Sequence, residues 1–295
     1  MKRAAAIFFL TFLFCSGLFA QVNDLQLARQ YTTNGELQKA LDIYQKLYKQ
    51  DNDAYYSYYI SGLLSLKKFD EAESVTKKML RKHPGDYQFS IGLGRIYTQR
   101  GETDKANAVY DDLIKNLPPD AGEISNLATE FYQAENVDYA IKIFLQGRKL
   151  MKNDNLYSFE LINLYRFKRD KPALVEEYLN FLPSNPTFIT QAENALSSLF
   201  EGADDYGMLK AALFRHIQKD PQQTIYTDLL IWQFLQQKEF DQALNQALAL
   251  SRRQDDDGNS IFDLCQTLIT NEAYETAVRG YEYIISKGKE KQLYI

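Results

Sequence analysis

Bulky apolar residues return along this chain at a nearly fixed interval. Tyr31, Leu63, Tyr97, Phe131, Tyr165, Phe200, Phe234 and Leu268 are separated by steps of 32, 34, 34, 34, 35, 34 and 34 residues. Nine residues after each comes Ala40, Ala72, Ala106, Ala140, Leu174, Leu209, Ala243 or Ala277, six of them alanine. Stepping four and then seven residues from these positions gives triples such as Ala40/Tyr44/Leu47, Ala106/Tyr110/Leu113 and Ala277/Tyr281/Ile284. That spacing places three side chains on one helical face. The segments before the period residues have the same spacing, as in Ile124/Leu127/Ala128/Phe131. Each repeat therefore predicts two amphipathic helices, and the chain holds about eight such hairpins.

The turns follow the same period. Gly35 and Gly101 fall four residues after Tyr31 and Tyr97, where a helix ends with a left-handed residue. Pro84, Pro118, Pro186 and Pro221 follow the second helices at steps of 34, 68 and 35 residues, and proline stops a helix. Pro172 falls in the first turn of a second helix, where proline is tolerated. The recurring alanine has a steric reason: two helices joined by a tight turn must approach closely beside it. No hairpin buries its apolar face alone, so neighbours stack into a one-dimensional core. The sixth repeat is the least regular. Glu201-Gly202-Ala203-Asp204-Asp205-Tyr206-Gly207 is a polar connection and Leu209 replaces alanine, which predicts a local change in stacking, with hinge character.

Hairpin length, the Tyr-Gly turn, the second-helix alanine with an aromatic four residues on and the closing proline together resemble the tetratricopeptide repeat (TPR) family. The third repeat shows this best, in Gly94, Tyr97, Gly101, Ala106, Tyr110, Leu113 and Pro118. The resemblance covers about 21–291 and is weaker in repeats five and six. The family's usual tryptophan early in the first helix is missing. The fold it implies is an all-α, right-handed α-solenoid of TPR-like hairpins at about 21–52, 53–86, 87–120, 121–154, 155–189, 190–223, 224–257 and 258–291. Residues 292–295 would be a tail or the start of a further helix. In style the chain also resembles exported repeat proteins of Bacteroidota, possessing the look of the N-terminal half of a longer one.

The first twenty residues read as a secretory signal. Lys2 and Arg3 precede an apolar run broken by Thr11, and Leu18-Phe19-Ala20 stands before Gln21. Cleavage there leaves a mature charge of −7, from a formal −5 for the whole chain, and leaves Cys265 as the lone thiol. Two other readings use the same residues: a lipoprotein signal at Cys15, disfavoured by Phe14 before it, and an uncleaved anchor, short of the roughly 20 residues that span a bilayer. The expected location is exported, periplasmic or envelope-associated.

Composition removes other classes. Hydrophobic residues make up 45% and charged residues 25%, enough for a core and unlike a disordered chain. The acidic balance is not that of a nucleic-acid binder. Two histidines and two cysteines leave little for a metal centre or disulfide framework. No nucleophile elbow, phosphate-binding glycine loop or His-Glu metalloprotease helix is present, so neither enzyme activity nor a cofactor is expected. His83 reads as a solvated turn residue, His216 as a satisfied histidine on an apolar face and Cys265 as core. Asp255-Asp256-Asp257-Gly258-Asn259 departs from a calcium loop, with Gln266 where the final Glu belongs, and reads as a polar loop with a helix cap. Asp111-Asp112 and Glu176-Glu177 read as solvated helix faces. Of Tyr55, Tyr56, Tyr58 and Tyr59, about two are expected in the core.

The function expected is that of a protein–protein interaction scaffold holding a peptide or protein partner. If the family's geometry holds, first helices line a groove, and the candidates there are Tyr58, Ser61, Arg95, Gln99, Asn126, Thr129, Asn163, Arg166 and Trp232. The carboxylate clamp for chaperone tails, known in some relatives, is not carried over, because Leu25 and Ser61 occupy its places. Two alternatives remain: a membrane-tethered envelope assembly factor, and a helical accessory domain of a cell-wall enzyme whose catalytic part lies elsewhere.

Overall fold

A computed structural model describes residues 24–254 and 256–287. The signal segment, Asp255 and residues 292–295 lie outside the described residues. Among the described residues there are sixteen α-helices and no strand. The first unit, to Met151, holds α1 (24–33), α2 (Leu37–Gln50), α3 (Asn52–Ser65), α4 (Phe69–Lys82), α5 (Tyr87–Arg100), α6 (Thr103–Lys115), α7 (Ala121–Gln133) and α8 (Val137–Met151). The second, from Lys152, holds α9 (Ser158–Lys168), α10 (Lys171–Phe181), α11 (Ile189–Leu199), α12 (Ala203–Lys219), α13 (Ile225–Gln236), α14 (Phe240–Gln254), α15 (Asn259–Thr270) and α16 (Tyr274–Ser286). Odd-numbered helices are the first, and even-numbered the second, of each hairpin.

Seven of the eight hairpins are closed by the same backbone device. Gly35, Lys67, Gly101, Glu135, Arg169, Lys238 and Glu272 all have φ between 54° and 83°. The N–H of the next residue then donates back to the carbonyl of the period residue: Glu36 to Tyr31, Lys68 to Leu63, Glu102 to Tyr97, Asn136 to Phe131, Asp170 to Tyr165, Glu239 to Phe234 and Ala273 to Leu268, at 2.8–2.9 Å. A second bond runs from the left-handed residue itself to the carbonyl three before it, as from Gly101 to Thr98 (3.0 Å). This six-to-one and five-to-two pair is the Schellman closure of a helix C-terminus. The residue that donates the six-to-one bond also starts the second helix, because its carbonyl takes the N–H of the recurring small residue, as Ala72 to Lys68 (3.1 Å) and Ala243 to Glu239 (3.0 Å). One carbonyl, one left-handed residue and one small residue thus fix the reversal.

All eight residues of the second-helix set, Ala40 through Ala277, are at most 2% exposed. At Gly94 the approach is closer still. A Cβ there would stand 2.1 Å from Cε1 of Tyr110, so the tyrosine of α6 lies on the bare backbone of α5. Packing continues from hairpin to hairpin. In the first unit α2 meets α3, α4 meets α5, α5 meets α7 and α6 meets α8. In the second, α10 meets α11 and α12, α11 meets α13, α12 meets α13, and α14 meets α15 and α16. Tyrosines tie these layers through their hydroxyls. Tyr97 donates to Glu73 of α4 (2.9 Å), and Tyr139 of α8 to Asp111 of α6 (3.1 Å).

The sixth hairpin lacks the closure. Phe200 is extended (φ −77°, ψ 134°), as is Gly202 (φ −171°). The N–H of Glu201 donates to the Asp205 carboxylate (2.8 Å), which also receives Lys171 of α10 (2.8 Å). Those donors hold the Asp205 carboxyl below the usual aspartate range, the Glu201 N–H first. With its reversal opened, α11 packs on α10 and α13 rather than closely on α12.

Other expectations resolve locally. Tyr56 and Tyr59 are buried; Tyr55 and Tyr58 are half-buried. Pro172 sits in the first turn of α10. Cys265 is fully buried with its thiol 3.5 Å from the Ala277 carbonyl, and burial pushes it up to about 11. His216 is held 2.9 Å from Glu176, linking α12 to α10. His83 is more than a solvated turn residue: its Nε2 lies 2.7 Å from Asp53, and its ring stacks on Phe89 at 5.6 Å. In the loop before α15, Asp256 accepts from Ser251 (2.6 Å) and from the Gly258 N–H (2.9 Å). Gly258 stands at the N-cap of α15 in a left-handed conformation, and the Asp257 carboxylate before it accepts from the N–H of Asn259, the first residue of the helix (3.0 Å).

Two outcomes follow from this packing. Gly101→Ala lowers stability by about 1 kcal/mol, because nothing crowds a Cβ there and only the left-handed backbone resists it. Gly202→Ala, also uncrowded but extended, is neutral or slightly stabilising. Equal losses in denaturant melts would refute the distinction. Burial also pushes Tyr56, Tyr59 and Tyr139 up to about 12 from 10.0. Their contribution is whole below pH 10 and is lost as pH climbs towards 12, because the unfolded chain ionises first. Tyrosinate absorbance from these residues should rise together with loss of helical circular dichroism. Full tyrosine titration at constant helicity would contradict it.

Candidate partner-binding trough in the first unit

The closures put first helices α3, α5 and α7 in succession, each offering the face opposite its second helix. On α3 that face carries Ser57, Ser61 and Ser65, spaced four residues apart and all exposed. On α5 it carries Gln88, Gly92, Arg95 and Gln99, and on α7 Glu130 and Gln133. Together they line a trough of about 570 Å³, floored by Tyr56, Ile60, Leu64 and Ile91. A second depression of about 480 Å³ shares Arg95, Gln99, Gln133 and Ala134 with it and extends to Thr98, Tyr110 and Asn136. The shared residues make the two one continuous trough.

The floor is held from below. The Tyr56 hydroxyl lies 2.9 Å from Thr76 Oγ1 of α4, and its ring meets Phe89 edge-on at 4.8 Å. Gly92 sits above it, and a Cβ there would come 3.0 Å from the hydroxyl. Tyr110, seated on Gly94, forms the far wall; its hydroxyl, whose pKa burial raises, donates to the Ile91 carbonyl (3.5 Å). The rim is different: among the described residues the side chains of Arg95, Gln99, Glu130 and Gln133 have no hydrogen-bond or ion-pair partner. Nearby Arg100 is instead tied up by Asp70 (2.8 Å), Glu73 (3.1 Å) and Glu102 (2.9 Å). The trough can therefore hydrogen-bond a polar main chain and place one cation and one anion beside it.

Of the nine candidates, Ser61, Arg95 and Gln99 come together here. Tyr58 lies outside the lining: it stacks on Tyr44 at 5.9 Å, and its hydroxyl accepts from Arg29 at 2.6 Å. Asn126 and Thr129 are exposed on α7 outside the lining, with Thr129 donating to the Ser125 carbonyl (2.8 Å). Asn163 and Arg166 are exposed on α9, where Arg166 donates to Asn163 (3.3 Å). Trp232 is half-buried on α13 against Tyr206, centroids 6.4 Å apart. These last three belong to the second unit. Sequence reading missed Ser57, Ser65, Gln88, Glu130 and Gln133. The signal was available: positions two residues either side of the period residue supply Ser61/Ser65 around Leu63 and Arg95/Gln99 around Tyr97, and Gln133 follows Phe131.

Among the described residues no group of three or more His, Cys, Asp or Glu is placed to hold a metal ion. No described helix is long and apolar enough to cross a membrane.

Comparison with known proteins gives a local match. A mitochondrial pentatricopeptide repeat-containing protein of Arabidopsis thaliana is 33% identical over 75 residues, which is 25% of this chain and 11% of that protein. The CTR9 homolog protein of Arabidopsis thaliana is 30% identical over 132 residues, 43% of this chain and 12% of its own length. The chain thus spans little more than a tenth of the curated relatives it matches. Among solved structures, Naa15/Naa10 bound to HypK-THB covers 91% of this chain and 43% of its own, with 17% identity and a TM-score of 0.38. A thermophilic TPR protein of Thermus thermophilus covers 67% of this chain and 99% of its own, at 16% identity and a TM-score of 0.30. The family description that matches is Tetratricopeptide repeat, over residues 63–131. That stretch begins at Leu63 and ends at Phe131, both period residues and two periods apart.

Proposed function

We propose that this protein is an exported, non-enzymatic scaffold whose first unit holds a peptide or a segment of a partner protein in the trough across α3, α5 and α7. Tetratricopeptide repeats are protein–protein interaction scaffolds, which sets the class. The observation that carries the site is the rim of unpartnered side chains, Arg95, Gln99, Glu130 and Gln133, along a trough floored by buried tyrosine and aliphatic groups. Glutamine amides and the serine hydroxyls of α3 offer donors and acceptors to an extended main chain. Arg95 favours an acidic group beside it and Glu130 a basic one, so the trough orients what it holds. Export rests on the basic-then-apolar pattern of residues 1–20 and the small residue at Ala20.

Site-specific photocrosslinking tests the site in the native envelope. A crosslinker at Ser61, Gln99 or Gln133 should give adducts of one common mass, and one at Lys78 on α4 should not. Arg95→Glu should weaken capture by about tenfold, as for a charge reversed at an interface. Adducts of equal yield from Lys78 would remove the trough from the account. N-terminal sequencing of the native protein tests export separately: a mature chain beginning at Gln21 is expected, and a chain retaining Met1 in the cytoplasm would contradict it.

A further inference from the structure

Histidine is the side chain whose ordinary charge change falls between about pH 5 and 8, and this chain has two, His83 and His216. The structure sets both in the same kind of contact. Each follows a cation at the C-terminal end of a second helix: Lys82-His83 closes α4, and Arg215-His216 enters the last turn of α12. In each case the two side chains share one carboxylate from another helix. Asp53 of α3 accepts from Lys82 on one oxygen (2.6 Å) and faces His83 Nε2 with the other (2.7 Å). Glu176 of α10 accepts from Arg215 (2.6 Å) and faces His216 Nε2 (2.9 Å) in the same way. Each imidazole also lies against an aromatic ring in the first turn of the next first helix, Phe89 of α5 at 5.6 Å and Tyr226 of α13 at 5.0 Å. One histidine thus joins α3, α4 and α5 in the first unit, and the other joins α10, α12 and α13 in the second.

Around His83 the charged and titratable groups are Asp53 on α3, Arg81 and Lys82 on its own helix, Asp86 in the turn that follows, and Tyr48 on α2, whose hydroxyl feels both Lys82 and Asp53. From α5 it meets only the uncharged ring of Phe89. Around His216 they are Glu176, with Glu177 beside it, on α10, then Arg215, Lys219 and Asp220 along its own helix, and Tyr226 on α13. Both carboxylates stay ionised across the histidine range. Lys82 first, with His83 behind it, holds the Asp53 carboxyl below the usual aspartate range. Burial alone would raise Glu176, yet His216 and Arg215 together hold it below the usual glutamate range. A protonated imidazole therefore meets a full negative charge, whereas a neutral one leaves an ordinary hydrogen bond, about half as strong. The unsatisfied carbonyls of the helix C-terminus also draw a cation to that place.

We propose that His83 and His216 are pH-responsive staples: protonated, they hold the ends of α4 and α12 against α3 and α10, and those ends loosen as pH rises through the histidine range. The stronger staple is His216, 14% exposed against 36% for His83, because solvent and salt screen a shielded pair less. It also acts where the stack lacks its usual closure. At its other end α12 is tied to α10 by Lys171 and Asp205 (2.8 Å), a pair that keeps its charges throughout. One fixed and one titrating tie therefore hold the second helix of the sixth hairpin. This device does not depend on the trough reading.

Amide hydrogen exchange of the intact protein, corrected for the intrinsic rate at each pH, reads the staples locally. The Asp220 N–H, bonded to the His216 carbonyl (2.9 Å), reports on the end of α12, and the His83 N–H, bonded to the Met79 carbonyl (2.9 Å), on the end of α4. The Asn116 N–H, bonded to the Asp112 carbonyl (3.1 Å), ends α6, which has no histidine, and serves as the control. Between about pH 5.5 and about pH 8, protection at Asp220 should fall about fivefold and at His83 about twofold, with Asn116 unchanged. His216→Gln, which keeps a hydrogen-bonding group, should abolish the change at Asp220 and spare that at position 83; His83→Gln should do the reverse. Glu193 and Asp228, whose carboxyls burial raises, are intact in both variants, so a response arising from them would persist. Circular dichroism confirms that the variants stay folded. Equal protection at both pH values, an equal change at Asn116, or a pH response that survives the substitutions would each overturn the proposal.

Discussion

A six-to-one hydrogen bond at the end of seven of the eight first helices organises this molecule. The acceptor is the carbonyl of a residue whose own side chain packs in the core, so chain reversal and apolar burial are set by one amino acid. The donor opens the second helix, and the recurring small residue four positions later lets the two helices close. Because donor, acceptor and left-handed residue lie within six positions, the closure forms from local contacts. Each copy delivers a hairpin with its apolar stripe unsatisfied, and the stripe is buried by the next copy.

Where that bond is missing, the packing changes in kind. Phe200 keeps the period but not the geometry. Its turn is extended, and Asp205 takes up the stray Glu201 N–H while receiving Lys171 from α10. The polar closure serves the backbone groups without drawing α11 onto α12. The trough in the first unit is the converse case. There three complete hairpins in sequence hold α3, α5 and α7 in register, and close approaches at Gly92 and Gly94 leave room for Tyr56 and Tyr110 as floor and wall. Trough and core are the two sides of the same first helices.

Much of this was legible in the sequence because helical periodicity is a local property. The period residues, the small residues, the left-handed glycines at 35 and 101 and the prolines that end second helices all declare themselves by residue type. Five further left-handed turns did not, because Lys67, Glu135, Arg169, Lys238 and Glu272 are ordinary helix residues forced into that conformation by the helices they join. The trough was half legible. Of the candidates read from the sequence, Ser61, Arg95 and Gln99 line it, but Tyr58 points across to Tyr44 and Arg29, since an aromatic one helical step away from the trough turns to bury its ring. His83 was misread for a related reason: its partner Asp53 stands 30 residues earlier, and only the stacking brings them together.

The account's central claim is that hairpin closure, repeated seven times and absent once, is what builds the stack. Amide hydrogen exchange on the intact protein tests it most directly. The N–H groups of Glu36, Lys68, Glu102, Asn136, Asp170, Glu239 and Ala273 should be strongly protected, each at the end of its first helix, while the amides of Gly202 and Ala203 at the sixth turn exchange quickly. Fast exchange at the seven closure amides, or equal protection at the sixth turn, would contradict it.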